Sequence, residues 1–194
     1  TEDIHKMAAI MPHEEEYLEV SPWSMVQKRI GWLVVFLVLG MITGNVLRHY
    51  QTKIDAVVVL ELFIPLLIGT GGNVGTQSAT LIIRGLATGE LKPNRIFKVI
   101  WKEGFVGLVL GLSLGCLAGL RTYWMSGDFF IASAVSCAMV ATVVMATIAG
   151  SLFPILLYRL RLDPAVAAGP FIATIVDVTA LLIYFEIARA ILRL

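Results

Sequence analysis

Asp177 sits inside the apolar run DPAVAAGPFIATIVDVTALLIYF (163–185), and no Lys or Arg lies within any apolar core of the chain. An ionisable side chain at the centre of a membrane helix costs about 2.5–3.5 kcal/mol on insertion scales. Such residues therefore face a bundle interior or a water-filled pathway. With Asp163 as N-cap and Pro164 at the first helical position, a helix begun there carries Asp177 about 18 Å in, near mid-membrane. Glu61 is the second carboxylate, about 8 Å deep if the chain enters at Ala56. It either lines the outer part of a pore or snorkels and hydrogen-bonds to a neighbouring Thr or Ser. Asp55, at the outer mouth, is placed to attract cations or simply to be solvated. Glu103 and Glu186 lie nearer span ends and read as interfacial.

Two backbone irregularities accompany these carboxylates. Residues 56–83 form a membrane-length apolar run interrupted by Thr70-Gly71-Gly72-Asn73-Val74-Gly75-Thr76-Gln77. Irregular backbone at membrane depth survives only where protein or a water-filled cavity covers it, and discontinuous spans commonly build ion sites. Gly71, Gly72, Asn73, Gly75 and Gln77 are therefore expected along a pathway. The second irregularity is Gly169-Pro170, where proline removes a backbone donor and frees a carbonyl. From opposite ends of their spans, both interruptions fall about 21–24 Å from the outer side of a roughly 30 Å core. Pro170 and Ala173 share a helix face with Asp177, leaving little bulk beside the carboxylate.

Carboxylate, carbonyls and small residues are hard-oxygen chemistry, suited to Mg²⁺, Ca²⁺ or Mn²⁺. His5, His13 and His49 lie outside the spans, and Cys116 and Cys137 lack any zinc or disulfide spacing. One carboxylate per chain is too little to strip Mg²⁺, which keeps several waters. A two-fold dimer would bring Asp177 to its own copy, and two such carboxylates repel unless a dication lies between them. The expected arrangement is a hydrated ion on the axis, with Asn73 and carbonyls on its water shell.

The elements that must position these residues are five apolar runs, roughly 30–47, 56–83, 104–120, 129–157 and 165–188. The 194 residues are 58% hydrophobic and 15% charged, with mean hydropathy +0.84. Soluble domains carry about 25% charged residues. The expected fold is an all-α polytopic membrane protein of five transmembrane helices, the second broken. A net charge of +1 gives no reason to expect a nucleic-acid partner. With the N-terminus in the cytoplasm, Lys6, Lys28, Arg29, Arg84, Lys92, Arg95, Lys98, Lys102, Arg159 and Arg161 lie inside. Arg48, Lys53, Arg121, Arg189 and Arg193 lie outside, as the positive-inside rule asks of a plasma-membrane protein. The C-terminus is then outside.

Residues 1–27 are acidic and polar, ending in a Ser21-Pro22-Trp23 turn before a pore domain over 28–194. They read as a cytoplasmic connecting segment, either a solvated linker or the last piece of a regulatory domain. Gly107, Gly111, Gly115 and Gly119 line one face of the third span, and small residues fill the fourth, both signs of close helix packing.

The motif Pro65 with GTGGNVGTQ (69–77), then RGLATG (84–89), together with residues 163–185, resembles the MgtE family of Mg²⁺ channels. The resemblance extends over all five spans and the acidic approach. It implies a homodimer whose second and fifth helices line a pore on the dimer axis. It implies a central Mg²⁺ site at Asp177, with Ala173 beside it and Gly72-Asn73 near the pore. The family's N-terminal soluble domain and paired CBS domains would precede this chain, which begins where their connecting helix would end. Val74 and Ala180 depart conservatively from the family's Ala and Gly. The expected function is passive Mg²⁺ uptake. The alternatives are a broader Mn²⁺/Co²⁺ carrier or coupled cation transporter, an intramembrane enzyme, and a purely structural subunit. Aspartyl chemistry needs two facing carboxylates, one of them protonated, and nothing around Glu61 resembles such a motif.

Overall fold

The computed structural model describes residues 6–8, 10–11, 18–54, 58–167 and 169–193. Among them are five helices long and apolar enough to cross a membrane. We number the helices α1 (Pro22–Ile54), α2 (Val58–Glu61), α3 (Ile64–Ala87), α4 (Ile96–Ser126), α5 (Phe129–Arg159) and α6 (Pro170–Leu192), with α2 and α3 forming the second span. Short 3₁₀ turns lie at Pro93–Arg95 and Pro164–Ala167. Asp55, the expected outer-mouth carboxylate, lies outside the described residues, as do Glu14, Glu15 and Glu16.

α1 starts earlier than its apolar run. Ser21 accepts from the Ser24 N–H at 3.2 Å, and Pro22 at the first position has no donor to lose. The helix thus absorbs Trp23 and the basic pair Lys28-Arg29. Its C-terminal end leans on α6 alone among the major contacts. Tyr50 stacks on Phe185 with ring centroids 4.8 Å apart and donates to Glu186 at 2.7 Å.

The second span is broken, but not where its glycines suggested. α3 runs unbroken through Gly71, Gly72 and Gly75. The break is at Leu62-Phe63, between α2 and α3. Pro65, which has no N–H and whose ring crowds the preceding turn, lies in the first turn of α3 and explains the position. Leu60, at the break, keeps its carbonyl satisfied by the hydroxyl of buried Tyr184 at 2.8 Å and by the Phe63 N–H at 3.2 Å. The glycines stay helical because neighbours occupy the space their side chains would take. A Cβ on Gly71 would meet Val176 and Thr142, and one on Gly75 would meet Ile172 and Val176. A glycine in a helix costs about 1 kcal/mol relative to alanine, and close packing offsets that cost.

α5 is the central helix, packed on α3, α4 and α6. Gly107, Gly111, Gly115 and Gly119 of α4 abut Thr147, Val140 and Ser136 of the antiparallel α5, as the glycine spacing predicts. Ser136 seals this seam by donating to the Gly115 carbonyl at 2.8 Å. Val74 and Ala180 are both buried in the bundle. Glu103, which sequence position marks as interfacial, is buried and accepts from Ser78 at 2.8 Å. That bond ties α4 to α3.

Two packing predictions follow from these contacts. A Cβ on Gly111 would lie 3.0 Å from the Val140 carbonyl oxygen and 3.1 Å from its Cα, and backbone yields little. Gly111→Ala is expected to cost about 1–3 kcal/mol. In detergent its Tm should fall, while Gly31→Ala, with open space around it, should raise Tm slightly through helix propensity. Thr142 is fully buried, and among the described residues its hydroxyl has no hydrogen-bond partner. An unmet buried hydroxyl costs about 1–3 kcal/mol, so Thr142→Val is expected to raise Tm in the same melt.

Candidate functional site

The fifth span enters differently from the simple helix its sequence suggests. Asp163 does cap a turn, accepting from the Ala165 N–H at 2.9 Å. That turn is the short 3₁₀ element Pro164–Ala167, and α6 begins only at Pro170. Pro170 is therefore a helix start, where its missing donor is harmless, and frees no carbonyl inside a helix. The Gly169 carbonyl accepts from Ala173 N–H at 3.0 Å, and that of Pro170 accepts from the Thr174 hydroxyl at 2.7 Å. Asp177 lies about 10 Å into α6, two turns from its N-terminal end. The entry loop shortens the helical approach to the carboxylate.

Gly169 adopts φ +58°, a conformation open to glycine, and a Cβ there would strike the carbonyl oxygen of Met7 at 2.5 Å. The approach segment thus lies directly against the start of α6. Lys6 also pairs with Asp163 at 2.8 Å. Gly169 is occupied by this contact rather than lining an open path.

Asp177 is half-buried, and among the described residues no cation pairs with it. It shares a recess of about 370 Å³ with Gly72, Asn73 and Ala173, and with Pro65, Ile68, Gly69 and Thr76. The four residues expected around an ion thus come together. The missing side chain of Gly72 makes this possible: its Cβ would lie 3.4 Å from the Ala173 Cβ and 3.7 Å from the Asp177 Oδ1. A larger residue at 72 would fill the space in front of the carboxylate.

Helix phase separates the remaining expected residues. Gly71 and Gly75 point into the bundle, against α5 and α6, so they serve packing and not a lining. Gln77 is exposed on the same side of α3 as Asn73, one turn further along. Glu61 is exposed at the end of α2, outside the recess. Gly69 and Thr76 join the recess without having been expected along the pathway. Their signal is the helical spacing 69, 73, 76, visible only once the stretch is treated as helix. Pro65, Leu66, Gly69, Asn73, Gln77, Thr80 and Arg84 form one exposed stripe down α3, polar from Asn73 to Arg84. A membrane-length helix with polar groups on an uncovered face does not suit lipid. Among the described residues no cluster of three His, Cys, Asp or Glu side chains is close enough to hold a metal. Asp177 would work with carbonyls, amides and hydroxyls instead.

Outside the spans, the Lys6 hydrogen bond holds Asp163 below the ordinary carboxylate pKa, helped by the Ala165 N–H and opposed by burial. A depressed pKa means the contact contributes stability above the unfolded-state value and loses it as pH falls through the lower folded value. Spin labels at Ala8 and Leu162 are expected to hold a narrow distance distribution at pH 5. It should broaden only once pH drops beneath about 3.9. Asp163→Ala should broaden it throughout; a narrow distribution in that variant would refute the latch.

The family model that matches this chain, over residues 64–187, is MgtE, described as a divalent cation transporter. The chain is 42% identical over 193 residues to a Thermus thermophilus protein named magnesium transporter MgtE, covering 100% of this chain and 43% of that protein. A Bacillus subtilis protein of the same name is 31% identical over 192 residues, covering 99% of this chain and 42% of the relative. One from Enterococcus faecalis is 37% identical over 182 residues, covering 92% and 39%. The chain thus spans about two-fifths of the length of these curated relatives.

Proposed function

The chain belongs to the MgtE family of divalent cation transporters, and on that footing we propose that it forms a passive Mg²⁺ pathway between two copies of itself. The observation that carries this reading is the exposed polar stripe of α3 beside the unpaired Asp177 of α6. The stripe suits water on a two-fold axis, bounded by the same two helices of a second subunit. Facing copies of Asp177 would then supply two negative charges to one dication, relieving their mutual repulsion.

Mg²⁺ is the cargo, and it gives up its inner waters reluctantly. The proposed site therefore holds a hydrated ion. Asp177 carboxylates accept hydrogen bonds from the ion's waters, Asn73 contributes its amide to the same shell, and Gly72 and Ala173 leave room for it. Glu61, Gln77 and Thr80 lie on the approaches, and Asp55 is assigned to the outer mouth. The proposed orientation keeps the N-terminus in the cytoplasm, since the basic residues gather at that end. Residues 1–27 are assigned as the connecting segment to a regulatory region and residues 28–194 as the pore domain. The enzyme alternative loses its chemistry, because Glu61 lies outside the recess that holds Asp177 and the family is one of transporters.

Mg²⁺ influx into proteoliposomes loaded with a fluorescent indicator tests the proposal. Asp177→Asn keeps the side-chain shape and removes the charge. Its influx is expected to fall at least about tenfold, equivalent to roughly 1.4 kcal/mol of ion stabilisation. Mg²⁺ should also raise the Tm of the parent in detergent and not that of the variant. Equal influx in both would remove Asp177 from the pathway. Saturable influx that requires Na⁺ or a proton gradient would replace the channel with a coupled carrier.

A further inference from the structure

The α4–α5 seam closes tightly along most of its length but opens at one end. Gly107, Gly111, Gly115 and Gly119 are each crowded by α5 atoms. Gly104, less than a turn before Gly107, is not: a Cβ there would meet only the Ile148 Cδ1, at 3.9 Å. The result is an outward-facing groove of about 340 Å³ lined by Phe97, Ile100, Trp101, Gly104 and Leu108 of α4 and Ile148 of α5. Its rim is unusually bare, with Phe97 77% and Trp101 75% exposed.

Charge distinguishes this groove from ordinary lipid-facing surface. Arg95, Lys98 and Lys102 are exposed at the same end of α4, a turn apart along its surface. None of them has an acidic partner among the described residues. Glu103, next to Lys102 in sequence, is buried and bound to Ser78 of α3. The first turn of α4 also has no side-chain cap, so its positive end adds to the lysines. Trp101 beside the lysines is the residue type that settles at a membrane–water boundary.

We propose that α4 and α5 bind one anionic phospholipid, with an acyl chain in the Gly104 groove and the phosphate against Lys98 and Lys102. A basic patch at the membrane surface recognises anionic headgroups, and the apolar groove on the adjoining face of α4 takes the hydrocarbon that a soluble anion lacks. The inference rests on the membrane-spanning fold and not on the transport reading.

Thermal melting of the purified chain in detergent tests it, with phosphatidylglycerol or phosphatidylcholine of matched chains added at equal mole fraction. Phosphatidylglycerol is expected to raise Tm by about 3–6 °C over phosphatidylcholine. Gly104→Leu, which fills the groove, and Lys98→Gln with Lys102→Gln, which removes the headgroup contacts, should each abolish the difference. Equal effects of the two lipids would overturn the proposal. So would a full effect in Gly104→Leu, which would mean adsorption by charge alone. Should that variant not fold, dihexanoyl phosphatidylglycerol on the parent decides the same point. Its chains are too short to fill the groove, so a full Tm rise, or one produced by inorganic phosphate, would also overturn the lipid assignment.

Discussion

The rest of the bundle depends on how closely α3 approaches α5. Gly150 of α5 faces the Gly75 carbonyl of α3 so closely that a single Cβ at 150 would collide with it. In lipid no hydrophobic force draws helices together, so surfaces of small residues that permit close packing do that work. This contact fixes the rotation of α3. With Gly75 and Gly71 turned inward, Ile172 and Val176 of α6 fit against them. Gly72, one residue out of phase, is left facing Ala173 and Asp177. The recess is thus a consequence of the packing geometry on the neighbouring helix face.

Polar groups follow the same economy. Thr122, Ser126, Thr174 and Thr179 each donate back to a carbonyl of their own helix. Where the backbone itself is interrupted, a partner arrives from another helix, as Tyr184 does for Leu60. Each such bond contributes a net of about 0.5–1.5 kcal/mol, whereas leaving its buried partner unmet costs more. Thr142 is the buried exception. Against this background the uncovered stripe on α3 and the unpaired Asp177 stand out. Among the described residues they are polar groups that the bundle itself leaves uncovered.

The ends of the bundle are organised by charge and by backbone geometry together. At the start of α6 the Lys6–Asp163 pair and the Met7 carbonyl against Gly169 join the approach segment to the fifth span. At the other end of α6, Glu186 takes a hydrogen bond from Tyr50 and an ion pair from Arg189 at 2.8 Å. The fifth span is therefore held at both ends by residues from the chain's first fifty, while its first two turns face the recess.

Sequence by itself determined the five spans, the glycine seam between the third and fourth, and the association of Asp177 with Ala173, Gly72 and Asn73. Span length, four-residue glycine spacing and the energetic cost of a carboxylate in hydrocarbon are local properties that composition exposes. Tertiary structure alone decided where the second span breaks, which glycines pack and which face the recess, and that Glu103 is buried. A glycine is permitted in both a loop and a helix, so GTGGNVG is ambiguous until neighbours fill the space beside it. Gly71 and Gly75 touch Val176, a hundred residues away in the chain. Only the fold brings that contact about, and it is the contact that keeps α3 helical and aims Asn73 outward.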